Sequence, residues 1–92
     1  MQFNPEAFKH GKTQEDIKFL YASYTTEWFS NGISARGNER AMLVGFDQNG
    51  NLMEAAFELI TNEYEKDEEY FYHAMNTTLH WQKQYEKRRR HR

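Results

Sequence analysis

Two runs, Arg40-Ala41-Met42-Leu43-Val44-Gly45-Phe46 and Leu52-Met53-Glu54-Ala55-Ala56-Phe57-Glu58-Leu59-Ile60, flank the polar stretch Asp47-Gln48-Asn49-Gly50-Asn51. Asn-Gly reaches the positive φ angles that a tight hairpin needs, and the runs on either side carry the apolar residues of strands. Side chains in a strand alternate faces, so Met53, Ala55, Phe57 and Leu59 share one face while Glu54 and Glu58 point to the other. The pattern predicts a sheet with one dry face and the two glutamates solvated on the opposite one.

Upstream, Thr25-Thr26-Glu27-Trp28-Phe29 is β-branched and aromatic, and Asn31-Gly32 ends it, which predicts a short strand and then a loop through Gly37. Before it, Thr13 caps a helix whose Ile17, Leu20, Tyr21 and Tyr24 follow at helical spacing and face the core. The opening Asn4-Pro5-Glu6 supplies a cap, a first-turn proline and an acid at the positive dipole end. Phe3 and Phe8 are placed to pack across the start of that helix, and Gly11 stops it within two turns.

Downstream, Tyr70-Phe71-Tyr72-His73-Ala74-Met75 reads as a strand pairing back antiparallel, because the connection is short. Asn76-Thr77-Thr78 then caps a last helix with Thr78, Trp81 and Tyr85 on one side. The expected fold is α+β: two short N-terminal helices, an antiparallel meander of three to four strands and a C-terminal helix, in one domain spanning residues 1–92. The basic helix end, residues 86–92, is expected to fray. Of the exposed-or-core aromatics Trp28, Phe29 and Trp81, core burial is expected for at least two.

Composition narrows the chemistry. Seven Phe, six Tyr and two Trp supply large buried area in a chain that is only 38% hydrophobic, which argues against disorder. The absence of cysteine excludes disulfides and thiolate chemistry, and with no apolar run long enough to span a bilayer and no export-signal pattern it predicts a cytoplasmic protein. The formal charge of -2 is a cancellation. Residues 62–69 carry five acids against Lys66, whereas residues 82–92 carry six bases against Glu86. A basic terminus of this kind suits a polyanion or an acidic partner, or is simply a solvated helix end.

No glycine-rich phosphate loop, nucleophile elbow or paired-histidine helix occurs, and His10, His73, His80 and His91 are scattered, so no metal or other cofactor is expected. Glu54 and Glu58 would stand about 13 Å apart on one strand, too far for a retaining carboxylate pair. What remains is a set of cations, imidazoles and phenols: Lys9, His10, Arg36, Arg40, His73, Lys83 and Tyr85. Metal-free RNA cleavage needs a base for the 2′-hydroxyl, a cation for the charge on the phosphorane and an acid for the leaving oxygen, and these residue types fill those roles. Each also has a structural reading. His73 shares strand parity with Phe71 and Met75 and fits a core-edge histidine, Arg40 can pair with Glu39 or Glu58, and Tyr85 can pack on Trp81.

Three segments carry a likeness to a known family: Phe3-Asn4-Pro5-Glu6 with Lys9-His10-Gly11, Glu39-Arg40 leading into Met42-Leu43-Val44-Gly45, and Ala74-Met75-Asn76-Thr77-Thr78 through Tyr85. In that order the chain resembles the BrnT-type toxins of bacterial toxin-antitoxin pairs, small ribonucleases with a RelE-like fold. The resemblance implies a metal-independent endoribonuclease that blocks translation and is neutralised by an antitoxin with a ribbon-helix-helix domain. On this leading reading Lys9, His10, Arg40, His73 and Tyr85 are the expected catalytic residues, and Arg36 with the basic helix end, Lys83, Lys87, Arg88 and Arg89, is expected to bind RNA. Met75 stands where the family carries an arginine, so either a charged role passes to His73 or the chemistry is altered or weakened. The competing expectation is a non-enzymatic interaction module or degenerate toxin-like fold, which the near-neutral charge favours.

Overall fold

A computed structural model describes residues 1–91; Arg92, the last base of the terminal run, lies outside the described residues. In chain order come β1 (Gln2–Phe3), a single 3-10 turn at Pro5–Phe8, α1 (Gln14–Ala22), β2 (Glu27–Ile33), β3 (Glu39–Phe46), β4 (Leu52–Thr61), β5 (Asp67–Asn76) and α2 (Leu79–Arg90). The strands form one mixed sheet in the order β1-β5-β4-β3-β2. The fold is α+β, and β2 to β5 make an antiparallel meander.

Four details differ from expectation. The first of the two N-terminal helices is only the 3-10 turn. Asn4 caps it by accepting from the Glu6 N–H at 3.0 Å, but Gly11 at φ +87° turns the chain before an α-helical ladder can form. The fifth strand, β1, pairs parallel to β5 through Gln2↔Tyr70 and Phe3↔Phe71. Two residues carry no readable period, and β1 exists because the edge of β5 offers it free backbone groups; Asn4 N–H continues the pairing by donating to Phe71 O at 2.8 Å.

α1 begins in a full capping box. Thr13 Oγ1 accepts from Asp16 N–H at 3.1 Å, and Asp16 Oδ2 accepts from Thr13 N–H at 3.0 Å. Ile17 and Leu20 are fully buried, but Ser23 ends the helix before Tyr24, which is 94% exposed and does not belong to the core stripe. β2 likewise runs past Asn31-Gly32 to Ile33, because Gly32 at φ +79° absorbs an irregularity in pairing with β3 rather than breaking the strand.

The larger correction concerns the sheet's faces. One face carries Leu43, Met53, Ala55, Phe57, Phe71 and Ala74 against Ile17 and Leu20 of α1. The other carries Phe29, Met42, Val44 and Ala56 against Tyr85 of α2, with Trp81 and Tyr72 alongside. Both faces are therefore dry, and Glu54 and Glu58 are 2% and 3% exposed instead of solvated. The local pattern missed this because α2 returns across the glutamate face from far along the chain. Phe29 is buried and Trp81 partly so, with ring centroids 5.5 Å apart, while Trp28 is 44% exposed at the β2 edge.

Gly45 marks where the sheet meets the end of α1. A Cβ there would lie 2.6 Å from Thr26 Oγ1, 2.9 Å from Leu20 Cδ1 and 3.1 Å from Thr26 Cα. Thr26 cannot turn aside without losing the buried bond its hydroxyl donates to Leu20 O at 2.7 Å. Gly45→Ala is therefore expected to destabilise the fold by about 1–3 kcal/mol through overpacking. An unchanged denaturation midpoint in urea would contradict it.

Candidate functional site

Between Ala56 and Phe57 the β4–β5 register shifts: Ala56 faces His73, but Phe57 faces Phe71. Tyr72 is thus the extra residue of a β-bulge, and a bulge re-aims the side chains around it. Phe71 packs in the α1-side core and Tyr72 against the α2-side core, while His73 pairs with Ala56 on that second face. Strand parity had placed His73 with Phe71, so the bulge moves it to the opposite side of the sheet.

There His73 Nε2 lies 2.8 Å from Glu54 Oε2. The other carboxylate oxygen, Oε1, accepts from Thr78 N–H at 2.7 Å and Thr78 Oγ1 at 2.8 Å. Burial pushes the Glu54 carboxyl up, but the bonds from His73 and Thr78 outweigh it and hold the group below its ordinary range. A buried carboxylate, fixed at one end by the start of α2, thus orients an imidazole that is 27% exposed. The His10 ring stands 6.3 Å from the His73 ring, carried there by the chain after the 3-10 turn beside β5.

Two residues along the same face lies a cavity of about 310 Å³ lined by Asn4, Ser34, Arg36, Arg40, Glu58, Tyr70 and Tyr72. Arg40 and Glu58 are direct cross-strand partners, and Glu58 pairs on its other side with Tyr70. Arg36 Nη2 bonds Glu58 Oε2 from the β2–β3 loop. Ser34, then Arg36 and Asn38, hold the Glu58 carboxyl below its ordinary range against burial. Glu58 Oε1 and Arg40 Nε meet no partner within hydrogen-bond geometry among the described residues. Buried polar atoms in that state cost about 1–3 kcal/mol each. Both residues line the cavity, with these two atoms buried in its wall.

The expected site residues therefore separate into groups. His10 and His73 come together, Arg36 and Arg40 come together, and Tyr72 beside His73 joins the two groups. Lys9 is next to His10 in the chain but exposed, its ammonium 3.5 Å from Glu6. Tyr85 stands apart in the α2-side core, donating its hydroxyl to Thr25 O at 2.9 Å. Burial, with Glu27 adding and Arg89 opposing, pushes that phenol up, away from proton exchange near neutrality. Of the expected RNA-binding cations, Lys83 and Lys87 are exposed on α2. Arg88 and Arg89 are engaged: Arg89 Nη1 is 3.2 Å from Glu27 Oε2, and the Arg88 guanidinium lies 3.9 Å from the Phe29 ring centroid while bonding Trp28 O. Glu27 is 2% exposed, so these arginines also neutralise a buried charge.

Sequence reasoning passed over Glu54, Glu58, Tyr70 and Tyr72. A signal was present for the glutamates: Leu52, Ala56 and Ile60 share their parity. Three apolar residues on one face with two carboxylates point to a covered face with deliberate charges in it. No group of side chains among the described residues has the arrangement of a metal centre, and no helix among them is long and apolar enough to cross a membrane. No protein-family model matches the chain, and no curated protein matches it significantly.

Proposed function

We propose that the protein is the toxin of a type II toxin-antitoxin pair, a metal-independent endoribonuclease that blocks translation and is neutralised by an antitoxin. The observation that carries this reading is the placement, on one sheet face, of an imidazole braced by a buried carboxylate next to a cavity holding two guanidiniums. His73, oriented by Glu54, moves the proton; Arg40 and Arg36 stabilise the charge that develops on the phosphate; His10 completes the acid-base pair across the bulge. Met75, at the position where the BrnT-type family carries arginine, is the cross-strand partner of Glu54 and adjoins this site, so His73 takes the charged role. Lys83 and Lys87 add nonspecific RNA affinity that weakens as salt rises.

Induced expression in a bacterial host tests it. Growth arrest with RNA fragmentation, relieved by co-expressing an adjacent short gene of ribbon-helix-helix pattern, is the expected result. Unchanged growth and intact RNA in the presence of folded protein would overturn it in favour of an interaction module. One feature favours that second reading: the outer strand β2 exposes Trp28 and Ile33, at 44% and 59%, beside a groove of about 410 Å³.

A further inference from the structure

We infer that the Arg36–Arg40–Glu58–Tyr70–Tyr72 cavity is a base-recognition pocket for guanine in single-stranded RNA, a deepening that rests on the ribonuclease reading. Glu58 is 3% exposed, ionised and acceptor-only, with Oε1 unpartnered and Oε2 taken by Arg36. Its cross-strand neighbour Arg40 has a buried, unpartnered Nε–H donor. A ligand that satisfies both needs adjacent N–H donors for a carboxylate and an acceptor for a guanidinium.

Among the four RNA bases only guanine offers two adjacent N–H groups, N1–H and N2–H, next to acceptors O6 and N7. Adenine presents an acceptor at N1 beside its amine, cytosine an acceptor at N3 beside its amine, and uracil a single N–H between two carbonyls. Guanine thus gives N1–H and N2–H to Glu58 and receives Arg40 at its acceptor edge, the commonest arginine contact to this base. Tyr70 and Tyr72 are two residues apart on the same face, spaced about 7 Å along the strand, which is the width that lets one planar ring stack between or against them. Single-stranded RNA is read in this way, by splayed bases stacked on aromatic rings and bonded along their edges.

Access is governed by Arg36. Its side chain is 67% exposed while that of Glu58 is 4%, so Arg36 can leave Glu58 Oε2 only as the base's N–H donors take its place, and the freed guanidinium can then lie on the base or on its phosphate. The neighbouring His73 then faces the nucleotide's own phosphodiester, so the pocket selects which bond is presented.

The test is binding of GMP, AMP, CMP and UMP to the full chain by calorimetry, together with oligouridylates carrying one guanine or none. GMP is expected to bind about tenfold to a hundredfold tighter than the other three, the discrimination of one bidentate base contact. The guanine-bearing oligonucleotide is expected to bind tighter than GMP and to compete with it. Glu58→Gln should erase the preference, and Tyr72→Leu, which keeps apolar bulk against the α2-side core but removes the ring, should weaken binding of all four nucleotides. Equal binding of the four nucleotides, or none, overturns the pocket; an oligonucleotide that fails to displace GMP overturns its assignment to RNA. Mapping of cut sites separates this inference from the ribonuclease reading. Cleavage without guanine at the cut site sinks the pocket and keeps the nuclease, whereas guanine binding without any cleavage keeps the pocket and sinks the nuclease.

Discussion

His73→Ala should lower the rate of RNA cleavage roughly 100- to 10,000-fold, the contribution of one positioned acid-base group. The toxic phenotype should fall with it. The geometry behind this is the 2.8 Å contact from Nε2 to Glu54, which leaves the other ring nitrogen for the reacting oxygen. Glu54→Gln keeps an acceptor for Thr78 but loses the carboxylate that orients the His73 ring, so a smaller loss in the same direction is expected. A His73→Ala variant that is folded and as toxic as wild type removes His73 from the mechanism.

The same glutamate sets a pH dependence of stability. Its folded carboxyl lies below the ordinary value of 4.5, so the folded protein binds this proton less readily than the unfolded chain does. The stabilisation is complete above that ordinary value and is lost as pH falls through the lower, folded one. Unfolding midpoints measured from about pH 7 down to about pH 3 should therefore fall more steeply for wild type than for Glu54→Gln. Parallel curves would contradict the assignment.

Phe71→Ala carries the largest expected loss of stability, about 3–5 kcal/mol. In a domain of this size each kcal/mol lowers the thermal midpoint by about 4–8 °C. Phe71 is fully buried and joins three parts of the chain, with ring centroids 5.7 Å from Phe3, 5.2 Å from Phe57 and 6.4 Å from Tyr21. It is also the residue before the bulge, and its carbonyl holds Asn4. Removing the ring opens a cavity where β1, α1 and the central sheet meet. Phe71→Leu should cost less, and a loss under about 1 kcal/mol for the alanine variant would show that the aromatic cluster is not the centre of the core. Calorimetric unfolding of both variants decides it.

What could be read along the chain were the features that neighbouring residues settle among themselves. Thr13 with Asp16 specifies where α1 starts, Asp47 and Gly50 specify the central hairpin, with Asp47 Oδ1 accepting from Asn49 and Asn51 and Gly50 at φ +81°, and Phe3 meets Phe8 at 5.9 Å as their spacing implies. Capping and turn formation are short-range effects, so the sequence alone determined the α+β class and the meander.

The site was decided elsewhere. Glu54 and Glu58 have the alternation of solvated residues, and only the return of α2 and the 34–38 loop over their face turns them into buried carboxylates. His73 has the parity of Phe71 until the extra residue at Tyr72 flips it, and that slip arises from how β5 fits β4 rather than from any residue of its own. Arg88 and Arg89 carry the charge of an RNA-binding helix end, yet Glu27, some sixty residues away in the chain, pairs with both, at 4.0 Å and 3.2 Å. Local propensity is set by a residue and its near neighbours, whereas burial, register and charge pairing are set by whatever surface the completed fold brings opposite.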